Sequence, residues 1–402
     1  MDILKGIRVL EVSEWGFVPS CATALGDWGA EVLKVEHPVR GDSMRGLITS
    51  GMIPGAKGVN FFVEQLFRNK KSVGIDFAKP EGRALLDELV KVSDVFLTNF
   101  LPEARERLRI EPADLRKVNP RIVYAKGHGQ GQKGPDANRG GYDGLSFWAR
   151  GGVCDMLTPP GQPHIQQRPA FGDFTGGMFL AGGIAGALFH RERTGEAIDV
   201  DVSLLGEAVW MLSPDIVAAM TYGFELPKGG SGGTPNPLVA NYPCADGKVL
   251  VLMMLQHDRF WPIFCRAVGR EDLLADPRFN PDAERAKNQK PLFEELRGMF
   301  ASQPRAHWAA LLDASECIWG PMQTPLEVVE DRQVKANGYI LDVDHPVHGK
   351  VRVCASPVQF NGEPPVVRNA APDCGADTET VLLDIGLTWE QIGALKEKGI
   401  IS

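Results

Sequence analysis

The sequence predicts an α/β protein: a doubly wound parallel sheet followed by a smaller α+β domain. Two observations carry this. Short β-forming runs alternate with helix-spaced segments through the first half. A stretch too rich in Gly and Pro for any regular element, Gly223 to Pro237, then separates that half from a region of different pattern.

Taken in order, Ile7 to Val12 ends in apolar β-formers and reads as a strand. Pro19 to Trp28 has helical spacing and stops at Gly29, and Glu31 to Val35 is a second strand, which completes a β-α-β unit. Ser72 to Phe77 is strand-like, and Pro80 opens a helix through Val92. Asp94 to Phe100 and Ile122 to Lys126 read as further strands. Gly172 to Arg191 is a buried helix, Ala197 to Val202 a strand, and Ser203 to Thr221 a helix. Beyond the linker, Lys248 to Met254 is a strand, with helical segments at 257–268, 290–302 and 304–313. Glu327 to Lys335 reads as a return crossing, and Lys350 to Val353 and Gln359 to Phe360 as strand material. The tail, Asp377 to Lys398, holds two short helices split by Gly386. The expected division is 1–222 for the first part of the large domain and 223–237 for the linker. The small domain then spans 238–325, and 326–402 returns to the large one.

Bulk composition narrows the function. Of 402 residues, 44% are hydrophobic and 23% charged, an ordinary globular balance. A net charge of −8 argues against nucleic acid or an anionic membrane as the main partner. The seven cysteines lack metal-ligand spacing and include no Cys-x-x-Cys, so reduced thiols and no metal site are expected. No signal-peptide pattern or membrane-length apolar run is present, and a cytoplasmic protein is the expectation. A nicotinamide enzyme is disfavoured, because the first β-α turn, Ser13-Glu-Trp-Gly-Phe17, lacks the G-x-G-x-x-G fingerprint.

The residue that carries chemistry is Asp173, in Arg168-Pro-Ala-Phe-Gly-Asp-Phe-Thr-Gly-Gly-Met178. It stands at the entrance to a long glycine-dotted helix. The field of a helix N-terminus is expected to keep its carboxylate ionised, and the small residues around it leave room for a substrate. An accessible carboxylate can attack an activated carbonyl. The plain alternative is a helix cap, a role Asp commonly takes.

Several segments in order now resemble one family. They include Arg8-Val-Leu-Glu-Val12, Gly29-Ala-Glu-Val-Leu-Lys-Val-Glu36, Asn69-Lys-Lys-Ser72, Thr98-Asn-Phe100 and Gly131-Gln-Lys-Gly-Pro135. Gly172-Asp173, Asp199-Val-Asp-Val-Ser-Leu-Leu205 and Tyr242-Pro-Cys-Ala-Asp-Gly247 continue the series. The set resembles the family III CoA-transferases, over nearly the whole chain. The resemblance implies a Rossmann-like large domain built from the N-terminal half and the tail, and two subunits wound as interlocked rings. It implies an acyl-CoA and a carboxylic acid as substrates, with coenzyme A as substrate rather than resident cofactor. Asp173 falls on the family's nucleophile. A carboxylate there attacks a donor thioester, passes through a mixed anhydride and an aspartyl-CoA thioester, and hands CoA to an acceptor acid.

The same match assigns expectations to other positions. Lys70, Lys71 and Arg107 match or neighbour positions around the nucleotide, and Asn99-Phe100 matches the adenine side. Each lysine is equally readable as a solvated charge. Gly229-Gly-Ser-Gly-Gly233 resembles a mobile loop that covers the nucleophile, with Gly230, Ser231, Gly232 and Gly233 as lid or acyl-pocket residues, or it is a plain linker. The racemase branch of the family carries Gly-His-Asp where this chain has Gly141-Tyr-Asp143. Tyrosine's ordinary pKa of about 10 makes Tyr142 a poor base, which favours transfer over racemisation. A CoA-binding protein without turnover is the third reading. Glu14-Trp15-Gly16 replaces the His-Val-Gln of formyl-CoA transferase, and this implies a larger or less polar acyl group. Pro38 stands where that enzyme has a CoA-contacting arginine, for which Arg40 is the substitute. His128 follows a strand near the expected acyl pocket, as a donor or as a turn residue without a role.

Overall fold

The computed structural model describes residues 2–52, 58–228 and 236–402. The first of two compact units comprises Met1–Met156, His164–Leu226 and Lys335–Ser402. Its strands are β1 (Arg8–Val12), β2 (Glu31–Glu36), β3 (Lys70–Gly74), β4 (Val95–Thr98), β5 (Val123–His128) and β6 (Asp199–Ser203). All pair in parallel, in the order β3-β2-β1-β4-β5-β6. This is the Rossmann order, and it reverses between β1 and β4. The crevice at the carboxyl ends of those two strands is where such sheets bind ligands.

Successive strand residues point to opposite faces, and each face has its own core. On one, Leu10, Leu33, Val73, Phe96 and Tyr124 pack with Leu86 and Leu89 and with Leu382 and Ile392 of the tail. On the other, Val9, Val32, Val95 and Val123 meet helices α1 (Phe17–Asp27) and the 24-residue Phe171–Thr194. Between these lie α2 (Phe61–Phe67), α3 (Pro80–Lys91), α4 (Pro102–Leu108), α5 (Pro112–Val118) and α6 (Val153–Leu157), so the long helix is α7.

Two differences from the expected elements have clear causes. The third strand starts at Lys70, two residues early, because the lysine is buried in an ion pair and its charge masks a strand position. The helix expected over 203–221 is two, α8 (Leu204–Met211) and α9 (Ser213–Tyr222), bent by 71°. Pro214 at the start of α9 cannot donate its share of the ladder. Gln359–Phe360 forms only an isolated bridge, Phe360 to Glu363.

The second unit comprises Leu157–Pro163 and Pro227–Val334. An antiparallel sheet of Val239–Pro243, Val249–Met253 and Trp319–Met322 carries helices His257–Ala267, Gln289–Phe300 and Arg305–Asp313. Its core holds Tyr242, Leu252, Phe264, Phe300 and Trp308. Among the described residues no single helix is long and apolar enough to cross a membrane.

Candidate active site

The loops after β1, β4 and β5 and the N-terminus of α7 enclose a cavity of about 260 Å³. Glu14, Trp15, Gly16 and Phe17 line one side, Asn99 to Leu101 another, and His128, Tyr142, Leu204 and Asp173 are among the residues that line the remainder. Asn99 fastens the two switch-point loops: its Oδ1 accepts from the Glu14 amide at 3.1 Å, and its Nδ2 donates to the Glu14 carbonyl at 2.6 Å. Trp15 has a left-handed backbone, φ 71°, and donates its amide to Asp42 at 3.2 Å. That turn sets Gly16 directly against Asp173. A methyl group at Gly16 would lie 2.3 Å from Asp173 Oδ2.

Asp173 is the third residue of α7. The helix has no side-chain cap of its own, since Ala170 precedes it with φ 67°. Asp143 supplies the cap from a distance, with both carboxylate oxygens 3.1 Å from the Gly172 amide. The expectation that the helix terminus holds Asp173 ionised is therefore corrected. Those amides serve Asp143, while burial, reinforced by the nearby Asp143 charge, pushes Asp173 up to about 8. Ser20 fixes the backbone there, donating to the Asp173 carbonyl at 2.9 Å.

A second hollow, about 220 Å³, is lined by Arg40, Arg107, His37, Asp76, Phe77 and Phe100. The Phe77 and Phe100 rings are stacked, with centroids 6.4 Å apart. Glu14 and Phe100 line both hollows, so the two adjoin across the β1–β4 switch point. Arg40, Arg107, Asn99, Phe100, His128, Trp15, Gly16, Tyr142 and Asp173 are thus brought to one crevice.

Lys70 and Lys71 are not. Lys70 is fully buried, its ammonium 2.7 Å from Glu11 and 2.9 Å from the Pro19 carbonyl, so the expectation that it meets a CoA phosphate is corrected. Glu11 also binds Lys34, and burial lowers the Lys70 ammonium to about 8 against the pull of Glu11. Lys71 is paired at 2.7 Å with Glu31 and lines neither hollow. His128 is buried with Nε2 2.8 Å from Asp201. Tyr142 is 62% exposed, its ring edge-on to Trp15 at 5.5 Å. Gly230, Ser231, Gly232 and Gly233 lie outside the described residues.

Sequence reasoning missed Gln130, Arg139, Leu101 and Leu204, which line the Asp173 cavity, and His37 and Phe77 of the second hollow. Only their position just after strands or at a helix start offered a signal. In the second unit, His257, Asp258 and Asp282 cluster closely enough for a metal. The Arg285 guanidinium lies among them instead, 2.6 Å from Asp258 and 2.7 Å from Asp282.

The CoA-transferase family III profile matches residues 4–378. The chain is 30% identical to the (R)-2-hydroxy-4-methylpentanoate CoA-transferase of Clostridioides difficile, covering 99% of both chains. It is also 30% identical to the cinnamoyl-CoA:phenyllactate CoA-transferase of Clostridium sporogenes, over 100% of this chain and 98% of the other. A CAIB/BAIF family protein from Brucella suis superposes with a TM-score of 0.81 at 25% identity, covering 95% of this chain and 99% of that one. The protein belongs to CoA-transferase family III.

Proposed function

We propose that the protein moves CoA from a donor acyl-CoA to an acceptor carboxylic acid, with Asp173 as nucleophile. The observation that carries this is a half-buried carboxyl in a cavity wall, beside a glycine, at the inner end of two adjoining hollows. The outer hollow suits the nucleotide of CoA: Arg40 and Arg107 face its phosphates and the Phe77–Phe100 pair its adenine. The pantetheine arm then runs past Glu14 and Phe100, which delivers the thioester to Asp173.

An Asp173 oxygen attacks the thioester carbonyl. The C–S bond breaks, leaving a mixed anhydride and CoA thiolate. The thiolate attacks the aspartyl carbonyl, which frees the donor carboxylate and forms an aspartyl-CoA thioester. The acceptor carboxylate reverses both steps, so thioester energy is retained while water is excluded. Only ionised Asp173 attacks, so the rate climbs as pH rises toward about 8.

Trp15, Phe17, Leu101, Tyr142 and Leu204 give the cavity an apolar wall. It suits a branched or aromatic acyl group, in keeping with the relatives named for 2-hydroxy-4-methylpentanoate and cinnamoyl-CoA. Exposed apolar side chains on and after the α7–α9 helices, among them Phe189, Trp210, Met220, Tyr222 and Phe224, favour a homodimer that covers them. No resident cofactor is required by this chemistry, and a cytoplasmic setting fits it.

Racemisation needs two acid/base groups at Cα. The cavity's histidine, His128, is already committed to Asp201. Hydroxylamine added with an acyl-CoA separates the readings. A transferase yields a trapped aspartyl hydroxamate and no solvent deuterium at Cα. A racemase incorporates deuterium and traps nothing, and a plain CoA-binding protein does neither.

A further inference from the structure

Glycines cut away one face of α7 beside the nucleophile. A methyl at Gly172 would lie 2.6 Å from Asp143 Oδ1, and one at Gly176, a turn further on, 2.5 Å from Glu207 Oε2. Asp143 and Glu207 thus pack into the helix on either side of Asp173 along its axis. Their situations differ. Asp143 receives amide hydrogens from the helix end. Glu207, on α8, is 3% exposed, and neither of its carboxyl oxygens has a hydrogen-bond partner. Leu204, one turn earlier on α8, lines the Asp173 cavity, so Glu207 sits just beneath its wall.

α8 packs against α7, β6, α9 and the π-turn Gly144–Ala149. The charged groups these elements bring near it are Asp143 and Arg150 flanking the π-turn, Asp173, Asp199 and Asp201 on β6, and Asp215 on α9. Arg150 is paired with Asp136, Asp199 with Arg116, and Asp201 with His128. No cation is among the groups that act on Glu207. Burial raises its carboxyl to about 8, the charges of Asp143 and Asp173 add to the rise, and the nearby Gly176 amide, which makes no hydrogen bond to it, opposes it. A buried carboxylate without donors is costly, and a second one beside Asp173 is more so.

We propose that Glu207 is a positioning residue of the Asp173 site: a buried carboxylic acid kept neutral, so that Asp173 alone carries the negative charge used in attack. This rests on Asp173 being the nucleophile. The two carboxyls lose their protons in two linked steps that belong to the pair. Glu207 feels the charges of both Asp143 and Asp173, and Asp173 only that of Asp143, so the first step is assigned to Asp173 and frees it to attack. The second ionises Glu207 and sets a further negative charge beside the site where an oxyanion and a thiolate must form. Rate against pH is therefore a bell, and Glu207 makes its alkaline side.

The test is Glu207→Gln, which keeps the shape and removes the proton. Covalent CoA loading of the Asp173 peptide is measured in a single turnover from pH 6 to 10, each profile scaled to its own maximum. In the wild type the rate is expected to fall about tenfold per pH unit beyond the alkaline midpoint. In Glu207→Gln that fall disappears while the acid limb remains. Persistence of the fall overturns the proposal and leaves the transferase reading intact. Infrared titration of the resting protein is independent of turnover. Two buried protonated carboxyl bands should vanish in sequence in the wild type, and the more alkaline one should be missing in Glu207→Gln. If no acyl-CoA loads Asp173 but that band is still lost on substitution, the neutral acid stands and the transferase reading falls. An unchanged band refutes the neutral acid itself.

Discussion

Replacing Gly16 by alanine perturbs the nucleophile with a single methyl group. The new carbon would sit 2.3 Å from Asp173 Oδ2, 3.1 Å from its Cγ and 3.2 Å from its Cβ. An unstrained carbon–oxygen contact is about 3.3 Å or longer, so the carboxyl must withdraw by about 1 Å. Misplacing a reacting group by about 1 Å costs on the order of 100-fold in rate, or about 2.7 kcal/mol of barrier. The backbone pays nothing, because Gly16 has φ −100° and ψ −50°, a conformation alanine adopts freely. Loss of glycine's freedom in the unfolded chain offsets part of the crowding, by about 0.4–1 kcal/mol. The assay is the single-turnover rate of CoA loading on the Asp173 peptide, beside a thermal melt. The expected result is a rate reduced about 100-fold with a nearly unchanged melting temperature. A Gly16→Ala protein that loads CoA at the wild-type rate would refute the close approach on which the site geometry depends.

Two further substitutions separate binding from architecture. Arg107→Ala should raise KM for acyl-CoA about tenfold or more, the loss of a charge-assisted phosphate contact, with little change in kcat. Lys70→Met should instead lower stability by about 3 kcal/mol in urea unfolding, because Glu11 loses one of its two buried cations. A KM effect without a stability effect at Lys70 would return it to the CoA site. Asp173→Asn tests the burial of the nucleophile. The folded carboxyl binds its proton more tightly than the unfolded one, so ionisation opposes folding. Wild-type stability relative to Asp173→Asn should therefore be equal below pH about 4 and fall progressively as pH rises through about 8. A constant difference in melting temperature across that range would contradict the raised carboxyl.

The parallel sheet was legible because its strands are rich in Val and Leu, as in Val9-Leu-Glu-Val12 and Val32-Leu-Lys-Val35. Its edge was less so: Lys70 begins a strand only because Glu11, 59 residues away in sequence, neutralises it. Val239–Pro243 and Trp319–Met322 contain residues that rarely favour strands, and they are held by pairing to Val249–Met253. Asp173 was legible from its position at a helix entrance. Its protonation was not, because the amides that would have ionised it go to Asp143, whose approach depends on Gly172 and on the π-turn region folding back. Glu207 gave no signal, since one glutamate in a predicted helix looks solvated until α8 is packed on α7.

Asp173 itself should become joined to CoA as an aspartyl-CoA thioester. Incubating the protein with a panel of branched and aromatic acyl-CoAs, digesting it and weighing the Asp173 peptide tests this most directly. A CoA adduct on that peptide in the wild type, absent from Asp173→Ala, is the predicted result, and the esters that react identify the donor class. A CoA adduct on another residue, or transfer activity that survives in Asp173→Ala, would contradict it.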